Sequence, residues 1–353
     1  MTTNCRARHG WRFCIVVAVA LLPLGVGAHH SFFGRFDRTA MLEVEGEITG
    51  IDWRNPHIFL TVRATEDASL VWEVESASAS LLQRMGIDRD MLAAGDRIRI
   101  AGYPPVTERR EIYARHMMLA DGRELLLDSR IQPRWTNRAV GQLSILNRTE
   151  GDGSRPELGI FRVWTLIRSG PRLFPEVVDP SFDINTYPMT ASARAALAAF
   201  DRVADNPTRG CAPKGMPTIM EQPYPIEFVQ REDGNIALHI EEYDLLRLIY
   251  MDPDAAPSVP PPSLLGHSLG RWEGETLVVT TNRISWAYFD QLGIPQSAQS
   301  EIVERFTPTP DGSRLDYLLT VTDPVNFTEP VRLRNYWIWV PETRRLPYEC
   351  QAG

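Results

Sequence analysis

The stretch MLEVEGEITGIDW, residues 41–53, decides how the first part of this chain folds. Leu42, Val44 and Ile48 fall on one side of an extended backbone, and Glu43, Glu45 and Glu47 on the other. A period of two marks a strand with one dry and one wet face. Ile58, Leu60 and Val62 repeat it, as do Leu70, Trp72 and Val74. SASASLLQRMG (76–86) then changes to helical spacing, with Leu81, Leu82 and Met85 on one side behind serines suited to capping. LAAGDRIRIAGYP (92–104) and EIYARHMMLADG (111–122) supply a fourth and a fifth strand. Three strands, a helix and two strands predict an OB-fold-like barrel over residues 40–127.

Toward the amino terminus, residues 1–28 read as a cleaved signal peptide. Arg6, Arg8 and Arg12 make a positive start, Phe13 to Leu22 an apolar run, and Val26-Gly27-Ala28 a small-residue cleavage pattern. A spanning helix needs about 20 apolar residues; this run is shorter and is followed by Pro23. The mature chain is expected to begin at His29, in the periplasm or outside the cell, with no membrane span.

Toward the carboxyl terminus, residues 128–205 read as a linker carrying the strand GIFRVWTL (159–166) and a Thr-capped, Ala-rich helix within YPMTASARAALAAFDRV (187–203). The helix is expected to bridge or plug the space between barrels. Residues 206–353 return to strand patterns, among them NIALHIEEYDLLRLIYM (235–251), RWEGETLVVTT (271–281), SEIVERFTPT (300–309) and PVRLRNYWIWV (330–340). With turn signals such as Glu-Asp-Gly and Pro-Asp-Gly between them, they predict a larger antiparallel β-barrel, lipocalin-like or a curved sandwich. The fold class is mainly β: an OB-fold-like barrel at residues 29–127, a short helical bridge, and the second barrel.

Lys and Arg number 37 against 45 Asp and Glu, a net charge of −8. Such a balance argues against nucleic acid as a partner. Cys5 and Cys14 leave with the signal, and Cys211 and Cys350 remain as one pair, expected to form a disulfide in an oxidising compartment. No feature of the sequence specifies an oligomeric state.

Several stretches are also familiar. AHHSFFGRFDR (28–38), WRNPHIFLTV (53–62) and LAAGDRIRIAGYP (92–104) together resemble a bacterial secreted domain of unknown function, numbered 6152. CAPKGMPTIMEQPYPIEFVQ (211–230), GHSLGRWEGETLVVTT (266–281), IVERF (302–306) and the closing YEC (348–350) are similar to a C-terminal β-rich region of such secreted proteins. Glu275 stands where that region commonly has Asp. The resemblance implies export and a two-part layout, and names no reaction.

Three kinds of site are open on residue types alone. A mature amino terminus at His29 offers its α-amino nitrogen and imidazole, and His30, His57 and His116 are further nitrogens for a tetragonal Cu(II) site; otherwise no cofactor is expected. His267, Glu304 and Arg334 are candidates for acid–base chemistry, with His267 near neutrality when unperturbed and Glu304 sharing a strand face with Ile302 and Phe306. An inward Glu304 is expected to pair with an arginine such as Arg334, and the alternative turns that face to solvent. Trp272, Trp286, Tyr288, Tyr336 and Trp337 are either walls of a pocket for a small, partly apolar ligand or ordinary core. Likewise GHSLGRWEGET is either the mouth of a barrel or a tight hairpin with Trp272 as a core plug and Gly270 and Gly274 in its bend. Gly266-His267-Ser268-Leu269-Gly270 has the spacing of a nucleophile elbow without the helix that must follow it. The leading expectation is a ligand-binding module, with an acid–base enzyme and a copper protein as alternatives.

Overall fold

The computed structural model describes residues 35–141, 148–166, 183–201, 205, 211–221 and 223–350. The signal segment 1–28 and the copper candidates His29 and His30 lie outside the described residues.

The first barrel is built from β1 (Leu42–Asp52), β2 (Phe59–Ala64), β3 (Val71–Glu75), β4 (Arg97–Tyr103) and β5 (Glu111–Leu119), with helix α1 (Ala79–Arg84) between β3 and β4. The strands run round as β4-β1-β2-β3-β5, and β5 pairs with β4 to close the ring. All neighbours are antiparallel except β3 and β5. Strand direction cannot alternate all the way round a ring of five, so one seam must be parallel. The parallel strands β3 and β5 are joined by α1 and β4 together, a connection long enough for the crossover that parallel strands require. Val44, Ile48, Leu60, Val62, Val74 and Ile100 are buried at the alternate positions the sequence marks. Ser78 caps α1 by accepting from the Leu81 amide, and Leu81 and Leu82 close the barrel end. Two short strands, β6 (Glu124–Leu126) and β7 (Ala139–Val140), extend the sheet beyond β5.

The second barrel has nine strands in sequential order: β8 (Val163–Leu166), β9 (Ile226–Gln230), β10 (Ile236–Ile240), β11 (Leu245–Tyr250), β12 (His267–Glu273), β13 (Thr276–Asn282), β14 (Glu301–Pro308), β15 (Arg314–Thr322) and β16 (Val331–Ile338). It closes where β16 meets β8 through Trp337–Leu166 and Ile338–Thr165. Nine is odd as well, and the forced parallel seam is β11–β12. The Pro-rich segment 251–266 provides the return passage.

Three sequence expectations change here. The strand at 163–166, assigned to the linker, is a barrel stave. The stretch 235–251 is two strands, because Tyr243 and Asp244 take positive φ (60° and 49°) and turn the chain between β10 and β11. The helix, α2 (Ala191–Ala199), packs on the second barrel instead of bridging the two: Ala193 joins that barrel's core, and the Thr190 amide and hydroxyl donate to the Asn326 and Val325 carbonyls.

The barrels meet through the chain's last residues. Cys350 is bonded to Cys211 as the thiol count predicts, and the Asn55 amide of the first barrel donates to the Glu349 carbonyl at 3.1 Å. Tyr348 packs edge-on to Tyr224 at 5.2 Å, and both belong to the first barrel's apolar core. Arg84, the last residue of α1, forms a buried ion pair with Glu241 of the second barrel and donates to the Arg344 carbonyl at 2.9 Å. Among the described residues, no helix is long and apolar enough to cross a membrane.

Candidate functional site

Among the described residues, large side chains occupy the interior of the second barrel. Trp164, Phe228, Phe306, Tyr317 and Trp337 are all at or near zero exposure. In their midst lies an ionic network. Glu304 does face inward with Ile302 and Phe306, but its partner is Arg247, not Arg334. Arg247 donates from Nη1 to Glu304 Oε1 at 3.1 Å, from Nη2 to the other carboxylate oxygen, from Nε to Ser268 Oγ at 3.0 Å, and from Nη2 to Thr281 Oγ1 at 2.6 Å. Tyr317 donates to Glu304 Oε1 at 2.7 Å, and burial beside that carboxylate pushes the phenol well above its usual range. All five groups are at most 2 % exposed. A buried charge whose guanidinium makes four hydrogen bonds and whose carboxylate has both oxygens engaged is a structural brace.

The same registers place the remaining candidates. Ser268 sits mid-strand in β12, buried and bonded to Arg247 and Thr281, so GHSLG forms no nucleophile elbow. His267, next along the strand, points the other way, beside Tyr250 at 5.3 Å; burial and nearby Arg283 lower its pKa. The structure therefore does not bring His267, Glu304 and Arg334 together. RWEGETL is a tight hairpin whose two-residue loop starts at Gly274 with φ 61°, the left-handed conformation that a hairpin turn of this length demands. Gly270 is not in that bend: it lies within β12, where a Cβ would stand 2.5 Å from Met251 Sδ. Trp272 is no plug, being 43 % exposed with its ring edge-on to Phe161.

The proposed pocket aromatics disperse. Trp337 is core, stacked among Phe306 and Tyr317. Trp286 is buried at one end of the barrel, donating from Nε1 to Thr218 Oγ1 at 3.0 Å, with Tyr288 beside it. Tyr336 faces outward. His57 of the first barrel commits Nδ1 to the Ser76 carbonyl at 2.8 Å, and His116 pairs with buried Glu124 at 2.8 Å. Among the described residues no cluster of three His, Cys, Asp or Glu is disposed to hold a metal.

Where Arg334 and Tyr336 do lie is a concave site. On β14, β15 and β16 the inward residues alternate with Arg305 and Thr307, with Arg314, Asp316 and Leu318, and with Arg334 and Tyr336. Cross-strand register sets Arg305, Leu318 and Arg334 in one row and Thr307, Asp316 and Tyr336 in the next. These residues line a groove of about 470 Å³ on the barrel's outer face. Strands lie about 4.8 Å apart, so the Cα atoms of Arg305 and Arg334 stand about 10 Å apart across Leu318. Arg314 is held by Asp316 at 2.9 Å and lies over the Tyr336 ring at 5.3 Å. Arg305 shares an exposed pair with Glu273 at 2.8 Å, an interaction worth less than about 1 kcal/mol. Arg334 makes no ion pair among the described residues. Asn335, also along the groove, buries its Nδ2 without a hydrogen-bond partner among the described residues.

The first barrel carries a separate charged knot. Arg35 donates to Glu111 and Glu75 at 2.8 Å each and to Glu73 at 3.2 Å. Burial raises the pKa of Glu75 against the pull of His57 and Arg35. The knot ties the residues entering β1 to β3 and β5, across the parallel seam.

Comparison with known proteins reaches this first barrel. Residues 17–111 match a family of unknown function (DUF6152). The DUF6152 match confirms the resemblance carried by the first three quoted motifs, and it ends at Glu111, the first residue of β5 and one of the three carboxylates around Arg35. No curated protein matches the chain.

Proposed function

We propose that this chain is an exported binding protein for an anionic, partly apolar small molecule, held in the groove on the outer face of β14, β15 and β16. The observation that carries this reading is Arg334: an exposed guanidinium with no ion pair among the described residues, lining one concave site with Arg305 and Arg314. In a chain of net charge −8, three arginines line this groove against Asp316 within it and Glu273 beside it, which leaves a local positive excess centred on Arg334. Guanidinium forks match carboxylate and phosphate oxygens two at a time. Leu318 and the Tyr336 ring supply apolar wall. The buried aromatics and ionic network that the described residues place inside the barrel direct the reading to this outer surface instead of the lumen. The Cys211–Cys350 disulfide supports an oxidising compartment such as the periplasm.

The test is untargeted mass spectrometry of small molecules that co-purify with the protein, set beside the Arg334→Ala variant. An acid carried by the parent protein and depleted about tenfold from the variant, a loss of roughly 1.4 kcal/mol, supports the reading. A ligand retained equally by both proteins overturns it.

A further inference from the structure

A second hollow, of about 610 Å³, adjoins the arginine groove and shares Arg314 and Tyr336 with it. Its other lining residues differ in chemistry: Glu150 and Asp311 bring carboxylates, and Thr149, Thr309 and Ser313 bring hydroxyls. Asp311 Oδ1 already takes three donors, the Thr309 and Ser313 hydroxyls and the Ser313 amide. Oδ2 takes none among the described residues. Those hydroxyl and amide donors hold the Asp311 carboxyl down at about 2, so it is an acceptor at any ordinary pH. The two hollows thus meet at Arg314 and Tyr336, with Arg305 and Arg334 on one side of that junction and an acceptor-rich lining on the other, and we treat them as one trough.

Resting on the anion-binding reading above, we propose that the trough takes a short sugar chain bearing a single acidic sugar at one end. The carboxylate of a terminal uronic acid accepts from Arg334 and Arg305. A sugar ring lies at the junction beside Tyr336 and the Arg314 guanidinium that covers it, and the hydroxyls of neutral sugars donate to Asp311 Oδ2 and Glu150. Each hollow alone falls within the roughly 300–1,000 Å³ of small-molecule pockets, so the pair accommodates more than one ring. A chain charged on every ring is disfavoured, because it sets carboxylates against Asp311 and Glu150. A wholly neutral chain leaves Arg334 unanswered. An ordinary aromatic or aliphatic acid fills the arginine half only.

The experiment is titration calorimetry of the full chain with aldotetraouronic acid, in which one glucuronate is carried on xylotriose. Xylotetraose, tetragalacturonate and benzoate are the comparison ligands. The expected order has aldotetraouronic acid tightest, tetragalacturonate about tenfold weaker and xylotetraose weaker still, with benzoate below the acidic tetrasaccharide. Arg334→Ala is expected to lower the affinity for aldotetraouronic acid about tenfold, and Asp311→Asn several-fold. Both residues lie on the surface, and unchanged circular dichroism verifies that the variants are folded. If benzoate binds as tightly as aldotetraouronic acid and depends equally on Arg334, the saccharide inference falls and the anion-binding reading stands. If Asp311→Asn has no effect, the second hollow has no part in recognition and the inference falls likewise. If no anion binds with dependence on Arg334, both fall.

Discussion

Replacing Arg247 by Met removes the cation from the centre of the second barrel while keeping most of its volume. Arg247 is 1 % exposed and Glu304 is fully buried, so among the described residues the remaining carboxylate keeps only the Tyr317 hydroxyl at 2.7 Å as a donor. Ser268 Oγ and Thr281 Oγ1 lose the guanidinium as well, and retain their bond to each other at 3.0 Å. Removing one member of a buried ion pair costs about 3–5 kcal/mol. An independent figure comes from Coulomb's law: charges about 4 Å apart at an effective dielectric of 20 attract by about 4 kcal/mol. The double variant Arg247→Met, Glu304→Leu leaves no uncompensated charge, and such replacements are commonly neutral or stabilising relative to the intact pair. Urea unfolding, followed by the fluorescence of buried Trp164 and Trp337, is the assay. Each single change, Arg247→Met or Glu304→Leu, is expected to cost about 3–5 kcal/mol, and the double variant less than either. Single variants losing under about 1 kcal/mol, or a double variant losing the sum of both, would refute a brace made by mutual compensation.

Other consequences are open to direct measurement. The Cys211–Cys350 bond closes a sequence separation of 139 residues, so Cys211→Ser with Cys350→Ser is expected to lose about 4–5 kcal/mol in denaturant unfolding, and added reductant should do the same to the parent protein. Burial opposes ionisation of Asp128, yet Arg130 and Arg115 hold its carboxyl down at about 2. A folded pKa below the unfolded one adds stability that is present above about pH 4 and lost as pH falls toward 2; Asp128→Asn should remove about 2 kcal/mol at neutral pH and flatten that part of the acid-unfolding curve. Arg84→Met leaves buried Glu241 without its guanidinium, and should loosen the contact between barrels, read as faster proteolysis of segment 339–350 with each barrel's own strands still protected.

Period-two patterning made much of this architecture readable. In 41–53 the apolar face is alternate and the polar face carries charge, so each residue's side of the sheet follows from its own chemistry. The order strand, strand, strand, helix, strand, strand then leaves few ways to close five strands. Where a strand carries a buried charge, the same logic inverts. In LLRLIY (245–250) hydropathy points Leu246 and Leu248 inward, but Arg247 and Ile249 take the interior and Leu246 is 51 % exposed. Only a partner on a strand distant in sequence, Glu304, makes that parity favourable, and local pattern does not contain it. Arg334 is a different case. Trp337 is buried in β16, and counting back by two reaches Asn335, so Arg334 must face out with Tyr336. That parity was available from RLRNYWI, and following it would have separated Arg334 from Glu304. The groove also needs Arg305 and Arg314 from neighbouring strands, and cross-strand register comes from the closed barrel, not from any one segment.

The choice between the outer groove and the barrel interior is tested most directly by nitrogen-15 NMR of the side chains, in protein freed of its co-purified acid and then saturated with it. Arginine Nε–H signals of Arg305, Arg314 and Arg334 are expected to shift on saturation, while the indole N–H of Trp337 and the Arg247 signal stay in place. Shifts at Trp337 and Arg247 with the three outer arginines unmoved would contradict a site on the outer face and return the ligand to the lumen.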